Sequence, residues 1–346
     1  MLYITTRDKF DTFTEAHALR KSRAANGGLF LPFRMPAFSN EEIGALKNKS
    51  FGQTVAETLN AFFSCGMTGW DVEFAIGRYP AKLTGMNHRI WIAELWHNQS
   101  WEYAKLERSL SERICPDNMG REIPSWVRIA IRIAVLFAVY GEMLRADSGL
   151  AGKTFDAAVP TGDFSAAMAL WYARYMGLPV GNIVCGCNEN SAVWDLLHIG
   201  EFRTDTPVET TTTKEADIAV PGELERLIHA TLGIPETQRY CEICGRGDIY
   251  SPRAGMLEPL RKGMFSAVVS QTRLEGLIPS VYHTSGCILS PYTALAYGAL
   301  QDYRAKTGES RTALLLADKN PVCDGKLVAS AMGISEGELK TKLQSN

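Results

Sequence analysis

The sequence predicts an α/β fold, a largely parallel sheet with flanking helices. Three observations predict it. A mostly apolar run, Phe155–Val159, enters the turn Pro160-Thr161-Gly162-Asp163-Phe164-Ser165. Out of that turn comes a helical pattern, with Ala166, Ala167, Leu170, Trp171, Ala173 and Met176 recurring at helical spacings. Gly177 and Pro179 end the helix, and a second apolar strand, Ile183–Cys187, follows. From about residue 155 strand and helix signals keep alternating, which is the pattern of a parallel-leaning sheet.

Taken in order, the N-terminal stretch reads as a short strand, a helix from about Phe10 to Lys21 and a strand at Gly28–Pro32. Ser39 or Asn40, with Glu42, then opens a capped helix. Phe51, Val55, Leu59 and Phe62 or Phe63 form one helical face. Arg89–Leu95 alternates as a strand, and Ser100–Ile114 is a charged helix. Pro124–Leu144 is the most apolar stretch. Arg128 and Arg132 interrupt it, and the uninterrupted run Ile133–Gly141 is too short to span a bilayer, so it reads as a buried core helix. The two arginines lie one turn apart on one face, as a solvated edge or as an anion clamp. Thr204–Lys214 is a loop or edge strand, and Pro221 starts a helix running to about Leu232. Residues 233–256 read as an exposed excursion rich in Gly, Pro and charge. Met256–Gly263 is a short helix, and Leu289–Ala305 is an amphipathic helix opened by Ser290-Pro291. Thr312–Leu316 is a strand, and two short helices close the chain.

Composition narrows the function classes. With 346 residues, 46% hydrophobic and 21% charged, the chain suits one large domain or two smaller ones. A net charge of −2 gives no argument for a nucleic-acid partner or a membrane surface. Eight scattered cysteines and no secretory signal pattern imply free thiols in a reducing cytoplasm. Cys241-Glu242-Ile243-Cys244 lacks the second pair that a zinc site needs, so no metal is expected. Arg246-Gly247-Asp248 is a match that chance supplies often.

The turn after Val159 carries the strongest chemical suggestion. A strand, a glycine turn and a helix aim backbone N–H groups and a positive helix end at one point, which is an anion site. Its plain alternative is an ordinary turn with Asp163 as the N-cap. The block Val159–Gly200 resembles threonine synthase, a family that makes threonine from O-phosphohomoserine with pyridoxal phosphate (PLP). Five further segments, in the right order, carry the same resemblance: Tyr3–Arg7, Asn26-Gly27-Gly28-Leu29-Phe30-Leu31-Pro32, Glu94-Leu95-Trp96-His97, Asp217-Ile218 with Pro221–Arg226, and Ser290-Pro291-Tyr292-Thr293-Ala294-Leu295-Ala296-Tyr297. The resemblance implies a core like the large domain of fold type II PLP enzymes, of the tryptophan synthase β kind. It implies a threonine-synthase-like N-terminal region over residues 1–105 and an α/β core over 106–346. Thr161, Gly162, Asp163, Phe164, Ser165 and Asp318 fall at the positions that bind cofactor or anion, and His97, Ser100 and Arg226 at substrate-like positions.

The chain departs from the family where the chemistry sits. Counting from His97, the family lysine falls on Ala104, and Lys105 is one place late, roughly 100° round the helix. Asp163 and Ser165 stand where the family has Asn and Gly, and a carboxylate at Asp163 would cap the helix and repel phosphate. The small PLP domain, on the order of a hundred residues, is expected to be missing near residues 114–124. The expectation is therefore a scaffold without PLP catalysis, holding a small amino-acid or phosphate-like ligand, as a homodimer or partner subunit. Two alternatives remain open. One is altered acid–base chemistry by Asp163, Asp318, Lys319, His97, Lys105 and Arg226. The other is a PLP lyase that uses Lys105 in a shifted register.

Overall fold

Alternate residues of the central strands point into two different cores, one on each face of a six-stranded sheet. The computed structural model describes residues 1–76, 81–87, 89–96 and 103–345. Three short strands, β1 (Leu2–Thr5), β2 (Asp8–Thr14) and β3 (Phe30–Pro32), form an antiparallel sheet in the order β2-β1-β3. The main sheet contains β4 (Lys82–Asn87), β5 (Ile90–Glu94), β6 (Phe155–Pro160), β7 (Val180–Cys187), β8 (Met264–Val268) and β9 (Ala313–Ala317). Their order is β4-β5-β9-β6-β7-β8, with every pairing parallel except β4 with β5. The parallel α/β core is thus as expected, but the molecule also holds a separate antiparallel sheet. β4 and β5, from the N-terminal third, belong to the main sheet.

The middle strands are buried on both faces, which is why they read as apolar runs. Ala157, Val159, Leu314 and Leu316 face one core with the Ser125–Ala146 and Ser165–Tyr175 helices. Ala158, Ala313 and Leu315 face the other, with the Gln271–Ser285 and Pro291–Thr307 helices. The Ser125–Ala146 helix is buried around most of its circumference, as a core helix should be, and no helix among the described residues is long and apolar enough to cross a membrane. Ser39 caps its helix in a reciprocal box with Glu42, and Ser290 caps the Pro291–Thr307 helix, both as the sequence predicts.

Two expectations are corrected. Residues from Phe10 do not start a helix. They continue β2, which pairs with β1 through Leu2–Thr14 and Tyr3–Phe13, and only the single turn Glu15–Ala18 is helical. The Phe13 ring packs edge-on against Phe30, 5.1 Å away, so tertiary pairing overrides the local helical pattern. Residues 233–256 contain the helix Ile234–Gly245 rather than an open excursion. Gly233 at φ +80° and Pro235 in the first turn are helix-start punctuation, and Tyr240 buries its ring against Tyr250 and Phe202.

Glu225 ties the small sheet to the main body. Only 3% exposed, it pairs with Arg7 at 3.1 Å and Arg23 at 2.7 Å and accepts the Thr6 hydroxyl. Burial raises its pKa, but the bonds from Arg7, Arg23 and Thr6 outweigh that and hold it at about 2. One turn later, burial and then Arg226 depress His229 to about 4. Both shifts remove stability in acid. His229 binds its proton more readily in the unfolded chain, so stability is lost as pH falls from about 6.5 to about 4. Glu225 contributes above its ordinary 4.5, and that contribution is lost as pH falls through about 2. Urea titrations should show this two-stage decline, and Glu225→Gln should cost about 3 kcal/mol at neutral pH and flatten the lower stage. A variant as stable as wild type would remove Glu225 from this role.

Candidate ligand cleft at the carboxyl ends of the strands

The cleft opens where β6 and β9 end, the place where parallel α/β sheets gather ligand-binding loops. Its walls include Leu95, Tyr103, Arg132, Thr161, Asp163, Ser165, Tyr292 and Asp318. It envelops about 520 Å³ with its open mouth, yet a water-sized sphere can centre itself in only about 40 Å³ of that. That is room for a few waters or a group of a few atoms.

The turn after β6 forms the floor. Thr161 donates both N–H (2.9 Å) and hydroxyl (3.3 Å) to the Gly186 carbonyl of β7. Gly162 has φ +45°, and a Cβ there would lie 2.3 Å from the Tyr292 phenol oxygen. The Tyr292 hydroxyl therefore rests against Gly162 and fills part of the turn. Phe164, wholly buried, takes φ +71°, the single positive φ outside glycine among the described residues, at a cost of roughly 1–2 kcal/mol. Phe164, not Asp163, holds the N-cap position of the Ser165–Tyr175 helix. Asp163 caps from one residue earlier: its Oδ1 accepts the Ser165 N–H at 2.9 Å and the Ser165 hydroxyl at 2.6 Å.

The opposite wall is ionic. Arg128 and Arg132 do not form a solvated edge. Arg128 Nη1 donates to Asp163 Oδ2 at 3.4 Å, and Arg132 Nη1 donates to Asp318 Oδ2 at 3.3 Å. Glu107 stands behind both, with Arg132 Nε at 3.2 Å and Arg128 Nε at 3.9 Å. Neither Nε makes an aligned hydrogen bond, nor does Glu107 Oε1. The Arg132 guanidinium lies over the Tyr103 ring, 4.6 Å from its centre. Tyr103 is 4% exposed and its hydroxyl has no hydrogen-bond partner.

Charge and burial tune these groups apart. Burial raises the Glu107 pKa despite Arg132 and Arg128. Burial also acts to raise Asp163, but Arg132, both Ser165 donors and Arg128 bring it below the usual carboxylate range. Tyr103 and Tyr292 are both pushed up by burial, so each phenol keeps its proton.

The structure thus gathers Thr161, Gly162, Asp163, Ser165 and Asp318 at one cleft, with Phe164 buried beneath the turn. Other candidates lie elsewhere. Ala104 and Lys105 are both exposed, on the face of the Tyr103–Ile114 helix opposite its buried residues. Lys319 is held by Glu215 at 2.6 Å and Asp324 at 2.9 Å, and these bonds outweigh burial to raise its pKa. Arg226 is fully buried, donating to Glu223, the Phe30 carbonyl and Ser125, with its guanidinium over Trp126. It clamps the core and does not reach the cleft. His97 and Ser100 lie outside the described residues. Among those residues no lysine lines the cleft. Sequence reasoning missed Glu107, Tyr103 and Tyr292. Tyr292 carried a signal, since it lies in the Ser290–Tyr297 segment that carries the family resemblance.

Comparison with known proteins places this geometry. A model of the threonine synthase N terminus matches residues 2–76. The chain superposes on PLP-bound threonine synthase from Brucella melitensis with a TM-score of 0.83 and 18% identity, covering 99% of this chain and 94% of that one. The fold is that of threonine synthase. The yeast threonine synthase structure agrees, at a TM-score of 0.80 and 18% identity, covering 96% of this chain and 90% of that one. In sequence, the chain is 26% identical over 176 residues to human threonine synthase-like 1, covering 50% of this chain and 24% of that relative. It is 27% identical over 185 residues to threonine synthase of Pseudomonas aeruginosa, covering 52% of this chain and 38% of that enzyme. The chain therefore matches about a quarter to two fifths of the length of these relatives. Within this threonine synthase fold, residues 115–124 join two helices directly, with only the short turn Pro116–Asn118 between them.

Arg132 is the hub of the wall. Arg132→Met should destabilise the protein by about 3 kcal/mol, because Glu107 is left buried without its main counter-ion. Adding Glu107→Leu to that variant should recover most of the loss. Equal stability of single and double variants in urea would show that the pair is not coupled.

Proposed function

We propose that this chain keeps the threonine synthase scaffold but not Schiff-base PLP chemistry, and that its cleft binds a small amino-acid or other carboxylate-bearing ligand. The carrying observation is the pairing of Arg132 with Asp318 and Arg128 with Asp163 on a single cleft. Such a site offers a guanidinium to a carboxylate and a carboxylate to an ammonium group, a few ångströms apart. Two guanidinium groups face three carboxylates, so a zwitterion matches the balance better than a bare anion.

The residues present do not fit PLP. Schiff-base chemistry needs an unprotonated lysine beside the cofactor. Lys105 is exposed on the far side of its helix, Lys319 is tied to two carboxylates, and residues 97–102 contain no lysine. The cleft has little free room, and a carboxylate already stands at the helix head. The direct link over residues 115–124 supports the absence of the small domain there.

Isothermal titration of the full chain with small amino acids, their decarboxylated amines and simple carboxylates tests this reading. Saturable binding of an amino acid, weakened about tenfold or more by Arg132→Met and absent for the matching amine, is the expected result. No saturable heat from any amino acid or carboxylate at millimolar concentration would refute the ligand assignment.

A further inference from the structure

We infer that Asp163 is a built-in anion, occupying the anion site at the head of the Ser165–Tyr175 helix and so excluding phosphate-bearing ligands from the cleft. The inference deepens the reading of the cleft as a ligand site.

The partners of the Asp163 carboxylate are those that a phosphate would recruit. At the helix head the Ser165 N–H and hydroxyl both converge on Oδ1. From the facing helix, Arg128 Nη1 reaches Oδ2, and the Arg132 guanidinium adds its field. Backbone N–H, hydroxyl and guanidinium around one point make the donor set of a phosphate site. A phosphate arriving now would meet like charge on Asp163 and find its donors engaged.

A second observation is independent of the helix head. Tyr103, 4% exposed, lines the same cleft with a protonated hydroxyl that has no hydrogen-bond partner. The Nε groups of Arg128 and Arg132 also lack aligned acceptors, although Glu107 Oε1 stands 3.2 Å from Arg132 Nε. The Tyr103 hydroxyl and the two Nε groups, all beside Glu107, thus lack well-aligned acceptors. Removing the Asp163 charge should free the helix head for a tetrahedral oxyanion, while those donors remain.

Titration of the full chain with inorganic phosphate, by calorimetry and by phosphorus NMR linewidth, decides the matter. Wild type should show no saturable binding at millimolar phosphate. Asp163→Asn, which removes the charge and leaves a weaker acceptor for phosphate to displace, and Asp163→Gly, which empties the position, should each bind phosphate at least about tenfold more tightly. Sulfate should compete, and adding Arg128→Met should abolish the gain. Wild type binding phosphate as well as the variants would overturn the inference. So would folded variants, judged by circular dichroism, that bind no phosphate. If the glycine variant does not fold, Asp163→Asn and Asp163→Ser carry the same test. The amino-acid titration of wild type is read separately, so failure of one claim does not decide the other.

Discussion

Two guanidinium groups on one buried helix pair with three carboxylates at the carboxyl ends of the central strands, and the character of the cleft follows from that arrangement. Arg132 bridges Glu107 and Asp318 while stacking on Tyr103, and Arg128 bridges Glu107 and Asp163. The elements that bring these residues together are distant in sequence: the Tyr103–Ile114 helix, the Ser125–Ala146 helix, the turn after β6 and the loop after β9. Charges in such a place are costly unless paired. The pairing therefore constrains all four elements at once, and any ligand must exchange its own charges for these.

The cleft and the two cores share residues. Tyr103, Val159, Phe164 and Leu316 belong to the core on one face of the sheet, and Tyr292 packs against the core on the other. Substitution at the turn, at Tyr292 or at the start of the Tyr103–Ile114 helix therefore bears on the layers as well as on the cleft. Tyr292 illustrates the point. Its hydroxyl lies against Gly162 and takes space inside the turn, while the helix that carries it remains capped by Ser290.

Features governed by local chemistry were readable in the sequence. The capping box of Ser39 and Glu42, the Ser290 cap and the apolar runs of β6, β7 and β9 each depend on near neighbours or on uniform burial. Features governed by distant partners were not. Phe10–Lys21 has a helical pattern, but β1 recruits its first half as a strand. Gly233 and Pro235 look like loop residues until the helix they start is seen. Arg128 and Arg132 were visible as a pair one turn apart, but their carboxylate partners come from other elements. Asp163 was legible as a cap, and the structure moves it only one residue upstream. Ala104, on which the count from His97 falls, and Lys105 lie on the exposed face of their helix.

The most direct measurement is reduction of the purified chain with borohydride after incubation with PLP, followed by peptide mass analysis. The account predicts no stoichiometric adduct, no aldimine absorbance and no PLP-dependent rise in melting temperature. A single stoichiometric adduct, whether at Lys105 or at Lys319, accompanied by an aldimine band that the matching Lys→Ala substitution removes, would contradict it and make the chain a PLP enzyme.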